Sequence, residues 1–165
     1  MSELLIRPFA WSDVPAIAAI YRHAVENTVA TFDLTPPGEK FMAEKFGLIL
    51  ELGHPLIVAE RGGQTIGYAY ASTYRPRPAY RFTCEDSVYL HPDAQGQGIG
   101  STLLGRIIED SRAFGFKQMV AVITAERGNS IRLHEKHGFA HIGRHPKLGF
   151  KFDRWLDIVH MQREL

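Results

Sequence analysis

Three glycines fall within five residues in Gln95-Gly96-Gln97-Gly98-Ile99-Gly100, between an extended run and an amphipathic one. Upstream, Asp86-Ser87-Val88-Tyr89-Leu90 reads as strand. Downstream, from Ile99 to Phe114, the residues Leu103, Leu104, Ile107 and Ile108 share one helical stripe. Glycines at a strand-to-helix junction let the chain turn tightly and aim several N–H groups at one point. The helix behind them adds unpaired first-turn amides and the positive end of its dipole, so Gln95 to Ser101 suits a phosphate or pyrophosphate. A second group, Arg75 and Arg77 on either side of Pro76, presents guanidinium forks that match the paired oxygens of a carboxylate or phosphinate. The competing reading is an ordinary solvated loop.

Spacing and composition narrow the choice. A dinucleotide fingerprint needs glycine at the first, third and sixth places; counted from Gly96 the sixth place is Ser101, and from Gly98 it is Leu103. The region about twenty residues beyond Gly96 reads Phe114-Gly115-Phe116-Lys117-Gln118, with no acid to hold a ribose. No Gly-Lys-Ser/Thr occurs, which excludes a Walker loop. A net charge of +1 over 165 residues argues against a nucleic-acid or membrane partner, although the eight histidines would add charge below about pH 6.5. The single cysteine, Cys84, cannot close an internal disulfide. No apolar run approaches a membrane span, and the first residues lack a signal-peptide core, so the expected location is cytoplasmic. With 45% hydrophobic and 22% charged residues, one globular domain over residues 1–165 is expected.

The elements that must position these groups follow from periodicity and punctuation. Leu4 to Arg7 reads as a strand. Ser12 reads as an N-cap, with Asp13 in the first turn and Val14, Ile17, Ile20, Tyr21, Ala24 and Val25 on one helical face. Thr28 to Gly38 is irregular, and a second helix spans Glu39 to Leu52. Pro55–Glu60 and Gln64–Thr73 form a hairpin across Arg61-Gly62-Gly63. The loop Tyr74 to Tyr80 leads to a strand from Arg81 to His91. After the glycine loop and its helix come a strand at Gln118–Thr124, a helix at Arg127–His137, and strands at Phe139–Gly143 and Arg154–Met161. The order βααβββαβαββ implies an α+β (mixed α/β) sheet with helices on both faces.

This order, with Gln-x-x-Gly-x-Gly after the fourth strand, resembles the GNAT superfamily of N-acetyltransferases. Four blocks bring it nearer one branch: Arg75-x-Arg77-x-Ala79-Tyr80, Thr83-x-Glu85-x-Ser87-Val88-Tyr89, Ser130-x-Arg132-Leu133-His134-Glu135-x-x-Gly138-Phe139 and Gly149-x-Lys151-x-x-x-Trp155-x-Asp157. Together they are similar to the phosphinothricin and methionine sulfoximine N-acetyltransferases. The resemblance implies the GNAT fold, a mostly antiparallel sheet of about seven strands. It implies acetyl transfer from acetyl-CoA to the amine of a small amino-acid-like substrate, no metal, and a homodimer. It further implies that the backbone of Val88, Tyr89 and Leu90 pairs with the pantetheine arm, that Gln95, Gly96, Gln97, Gly98, Ile99, Gly100 and Ser101 hold the pyrophosphate, and that Asn129 reaches the cofactor.

Acetyl transfer to an amine needs a base, a polarised thioester carbonyl and accommodation of the thiolate. Strand alternation puts Glu85, Ser87 and Tyr89 on one face and Cys84, Asp86, Val88 and Leu90 on the other. Glu85 is the candidate base, and a salt bridge to Arg81 is its bland alternative. Arg75 and Arg77 suit the substrate's acidic group. Phe32 and Tyr80 wall its side chain or belong to the core, and Ser87 shares the face of Glu85. His134 either hydrogen-bonds near the thioester sulfur, donates a proton to the thiolate, or is a packed or capping residue. A zinc site at His134, His137, His141 and His145 is not expected, because Gly138 ends the helix and His134-Glu135-Lys136-His137 is one residue short of the metalloprotease pattern. A covalent route through Cys84 is disfavoured because alternation turns it away from Glu85. Two other functions remain open: a peptide N-terminal acetyltransferase of the same fold, and a non-catalytic acyl-CoA sensor.

Overall fold

A computed structural model describes residues 2–165. Seven strands form one sheet in the order β1-β2-β3-β4-β5-β7-β6, where β1 is Leu4–Pro8, β2 Leu56–Arg61, β3 Gln64–Thr73, β4 Thr83–Leu90, β5 Gln118–Thr124, β6 Ala140–Lys151 and β7 Arg154–Glu164. Every neighbouring pair is antiparallel except β4 with β5. The helices are α1 (Val14–Asn27), α2 (Glu39–Glu51), α3 (Ile99–Phe114) and α4 (Gly128–Lys136).

Each face of the sheet carries its own core. On one, Ile17 and Tyr21 of α1 and Phe46 of α2 pack on Val58, Tyr68 and Tyr70. On the other, Leu103, Leu104 and Ile107 of α3 pack on Ala69, Cys84, Met119 and Met161, with Leu133 of α4 at the margin. The apolar stripe of α3 therefore faces the sheet as its period requires. Gly115, at φ 115°, stops that helix. Along β4 the expected alternation holds: Cys84, Val88 and Leu90 join the α3 core, while Tyr89 packs against Tyr21 and Tyr68.

Several boundaries differ from those expected, β7 among them, which continues past Met161 to Glu164. Ser12 is not the cap of α1. A 3₁₀ turn spans Trp11–Asp13, and Asp13 accepts the Ala10 N–H at 2.8 Å together with both arms of Arg7. Strand β4 starts at Thr83 because Pro78–Tyr80 forms another 3₁₀ turn that ends at Arg81. The largest difference is β6, which runs to Lys151 instead of stopping at Gly143. Its pairing with β7 skips residues between His141 and Gly143 and again between His145 and Gly149, so Pro146 and the glycines sit in irregularities that an edge strand tolerates.

Candidate active site

Strands β4 and β5 pair only through Thr83–Gln118, Cys84–Met119 and Glu85–Val120, although β4 continues to Leu90 and β5 to Thr124. Past Glu85 they part. Their outer edges stay paired, β4 with β3 as far as Leu90 and β5 with β7 as far as Thr124. Both strands thus remain extended while their facing edges lack a strand partner. The main-chain groups from Asp86 to Leu90 that face this gap require one. An amide-bearing arm laid in as an added strand supplies it.

The glycine loop lies beyond the wide end of the gap. Gly96 and Gly98 sit at φ 73° and 79°, a backbone that side chains disfavour. The first helical bond of α3 runs from the Thr102 N–H to the Gly98 carbonyl at 3.1 Å, so the amides of Ile99, Gly100 and Ser101 precede the ladder. Two of the loop's side chains are occupied in shaping it. Gln97 donates to the Asp93 carbonyl at 2.7 Å and accepts from Arg61 at 2.8 Å, and Ser101 bonds His137 Nε2 at 2.8 Å. What remains for an anion is main chain and the exposed Gln95 side chain. A Cβ at Gly96 or Gly98 would meet no protein atom within 4 Å, so the space beside the loop is open. Asn129 is exposed in the first turn of α4.

Glu85 stands at the narrow end. It borders a cleft of about 740 Å³ whose lining includes Phe32, Tyr74, Arg75, His145 and His160. Among the described residues the Glu85 carboxyl makes neither a hydrogen bond nor a salt bridge. Its neighbour Arg81 instead stacks over Phe82 at 4.4 Å and donates to the Pro78 carbonyl. Desolvation raises the Glu85 carboxyl above its ordinary value, the adjacent Asp86 charge adds to the rise, and Arg75 and Lys45 oppose it.

The wall made by Phe32 is built in advance. Tyr21 bonds Thr31 Oγ1 at 2.8 Å and donates to Asp33; Lys151 donates to the Thr31 carbonyl at 2.8 Å; Thr124 donates to the Val29 carbonyl at 2.6 Å. The Phe32 ring lies so close over Gly149 that a Cβ there would overlap it. Arg75 rests on the Tyr74 ring at 4.9 Å, and Tyr80 braces Tyr74 edge-on at 5.5 Å.

Several expected contacts are absent. Arg77, Tyr80 and Ser87 do not line the cleft. Arg77 instead precedes the short turn at Pro78, and Tyr80 acts one layer back through Tyr74. His134 also departs from the expectation that it serves the sulfur. It is buried, with Nδ1 donating to the Ser130 carbonyl at 2.8 Å and Nε2 on Asp86 Oδ2 at 2.9 Å. Burial lowers its pKa, but the Asp86 carboxylate more than offsets this and the net shift is upward. Both ring nitrogens are already engaged. The four histidines weighed as a metal cluster point to different partners: Asp86, Ser101, Glu135 and His160. Sequence reasoning missed Tyr74, His160 and Gln162 as lining residues. The only signal was the period-2 alternation of Ile158, His160 and Gln162 along β7.

The comparisons with known proteins agree with this geometry. Residues 17–139 match the model of the acetyltransferase (GNAT) family. The chain belongs to that family. It is accordingly an acetyl-CoA-dependent N-acetyltransferase. It is 48% identical over 155 residues to a phosphinothricin N-acetyltransferase of Alcaligenes faecalis, covering 93% of this chain and 78% of that one. It is 41% identical to the L-methionine sulfoximine/L-methionine sulfone acetyltransferase of Salmonella typhimurium, covering 93% and 90%. The crystal structure of a phosphinothricin acetyltransferase from Sinorhizobium meliloti in complex with acetyl-CoA superposes with a TM-score of 0.97 at 46% identity, covering 100% of this chain and 89% of that one.

Two outcomes follow. Gly98→Ala places a Cβ in a left-handed conformation facing open space, and should raise the KM for acetyl-CoA about tenfold while leaving the KM of the acceptor unchanged. His134→Ala strands a buried carboxylate, and should lower stability by about 3 kcal/mol in urea unfolding; unaltered stability with lost turnover would return His134 to a direct chemical role.

Proposed function

We propose that this chain moves acetyl from acetyl-CoA to the α-amino group of a free amino-acid analogue (methionine sulfoximine, methionine sulfone or phosphinothricin) by direct attack in a ternary complex. The observation that carries the reading is the position of Glu85. A desolvated, unpaired carboxylate sits where β4 and β5 diverge and at the edge of a cleft that also holds Arg75 and Phe32. In this reading the amides of Gln95 to Ser101 hold the pyrophosphate, the main chain of Val88 to Leu90 pairs with the pantetheine arm, and Asn129 reaches it from α4. Arg75, backed by Tyr74, takes the acceptor's carboxylate, and Phe32 walls its side chain. Glu85 accepts the ammonium proton, directly or through water, and the free amine attacks the thioester carbonyl. His134 acts as a positioning residue that ties α4 to β4 through Asp86.

Cys84 supports direct transfer by being unfit for a covalent route. It is fully buried on the opposite face of the sheet, and desolvation pushes its thiol up to about 12. We take residues 1–165 as one catalytic domain working in the cytoplasm as a homodimer. Among the described residues no helix is long and apolar enough to cross a membrane. Leu148, Phe150 and Trp155 leave an exposed apolar strip on the β6–β7 hairpin, of the kind a second copy covers. Sedimentation equilibrium should report two chains per particle; a monomer at micromolar concentration would remove the dimer.

A thiol-release assay over free amino acids, their sulfone and sulfoximine derivatives, and short peptides tests the acceptor class. Turnover confined to peptides would overturn it. Glu85→Gln should cut kcat by about 10²–10³ with little change in the KM for acetyl-CoA; unchanged turnover would rule out the base. A general base works when deprotonated, so kcat/KM should rise with pH through a pKa above the ordinary carboxylate range, and that limb should vanish in Glu85→Gln. Arg75→Ala should raise the acceptor KM about tenfold and spare acetyl-CoA.

A further inference from the structure

The far end of the acceptor cleft carries two imidazoles. His160 stands on β7 opposite Val122 of β5 and opposite Gly143 of β6. Gly143 leaves the neighbouring space open, with nothing within 4 Å of where its Cβ would be. The irregular stretch of β6 brings the His145 ring against that of His160, centroids 4.9 Å apart and planes at 68°. Both residues border the same cleft as Glu85 and Arg75, amid Val122, Leu148 and Ile158.

Apolar side chains at these two positions would suffice for a cleft that takes only hydrocarbon. Imidazoles bring hydrogen-bonding demands with them. Nδ1 of His160 is enclosed by protein with no hydrogen-bond partner, an arrangement that carries a desolvation cost, so the ring's other nitrogen is the one left to meet a ligand in the cleft. Among the described residues neither ring is ion-paired, in contrast to His91, His134 and His141. Burial, with His145 and the Arg75 guanidinium nearby, holds His160 below its ordinary pKa, which favours the neutral ring and its one donor and one acceptor.

The reach is right for a short amino acid. Glu85 is in register with Val120, and Val120 with Gln162, two residues along β7 from His160. With strands about 4.8 Å apart and about 3.4 Å per residue, the Cα atoms of Glu85 and His160 lie roughly 12 Å apart. Two side chains projecting into the cleft shorten that span to the length of a methionine-sized molecule.

We propose that His145 and His160 form a specificity subsite that donates hydrogen bonds to an oxygen-bearing sulfur or phosphorus head on the acceptor's side chain. The subsite rests on the acceptor class proposed above and deepens it. Glu85 receives the amine, Arg75 the carboxylate, and the imidazole pair the distal oxygens.

The test compares methionine sulfone with methionine, which has the same chain without the oxygens. Wild-type protein should favour the sulfone in kcat/KM. His160→Phe keeps the ring and its edge-on packing but removes both nitrogens, and should shrink that preference about tenfold. The loss should lie in the KM of the sulfone and exceed any change for methionine, with the KM for acetyl-CoA unmoved. His160→Asn keeps an N–H and should restore part of the preference. His145→Leu gives a second reading of the same ratio should His160→Phe prove unstable on thermal melting. A wild-type ratio retained in both His160→Phe and His145→Leu, or an equal loss on both substrates, overturns the subsite while amino-acid acetylation stands. Failure of the wild type to acetylate any free amino acid overturns the acceptor class, and the subsite with it.

Discussion

The divergence of β4 from β5 is the constraint on which the rest of the molecule depends. A gap in the middle of a sheet ordinarily strands two rows of backbone groups. Here each strand keeps its outer neighbour to the end, β3 beside β4 and β7 beside β5, so the sheet opens without either strand fraying. Helix α3 starts where β4 ends, and its free amides lie at the open mouth. Close packing fixes that junction. A Cβ on Gly67 would run into Leu90, and one on Gly100 would touch it, so the turn from strand to helix has little freedom to drift. One backbone feature thus leaves both an unpaired strand edge and a set of free helix amides facing the same opening.

The same strand separates two carboxylates by one residue and gives them opposite fates. Asp86 turns toward α4, is buried, and pairs with the His134 ring through Nε2, a contact that offsets part of the cost of burying the carboxyl. Glu85 turns toward the cleft and has no such partner, so desolvation and the charge of Asp86 both favour its protonated form. Strand alternation alone makes one acid structural and leaves the other available for proton transfer. The position of His134 follows from this division. Serving Asp86 commits both ring nitrogens, and the group that appears reactive in sequence becomes the one that fastens α4 to the sheet.

The element order, the two-sided layering and the glycine loop were legible because each rests on local signals: period-3.6 stripes, β-branched runs and glycines at junctions. The alternation along β4 was equally readable, and with it the face of Glu85. The cleft was harder. Its floor comes from β4, β5 and β7, brought side by side by pairings between residues as distant as Val120 and Gln162, and no short window records that adjacency. Arg77 looked equivalent to Arg75 in sequence and Tyr80 equivalent to Phe32, but the 3₁₀ turn at Pro78 directs both elsewhere. The extent of β6 was hidden by Pro146, Gly143 and Gly149, which in an isolated reading end strands, and by a hairpin turn at Phe152–Asp153 that uses positive φ without glycine or asparagine.

That irregular strand shows how distant residues shape the acceptor cleft. Asp157 on β7 receives the Lys147 N–H at 2.8 Å and two bonds from Arg144 at 2.9 and 2.6 Å, which hold its carboxyl below the ordinary range and keep it charged. It lies within the Trp155-x-Asp157 block, yet it does not border the cleft. Of its two donors Arg144 lies between the points where β6 slips register and Lys147 lies within the second slip, so Asp157 fixes the backbone between His145 and Gly149. From that segment His145 meets His160, and just beyond it Gly149 receives Phe32. A smooth strand would have alternated through these positions and paired residue for residue with β7. The bulged one spends its extra residues on the cleft wall, and an exposed carboxylate at position 157 makes that departure from regular pairing stable.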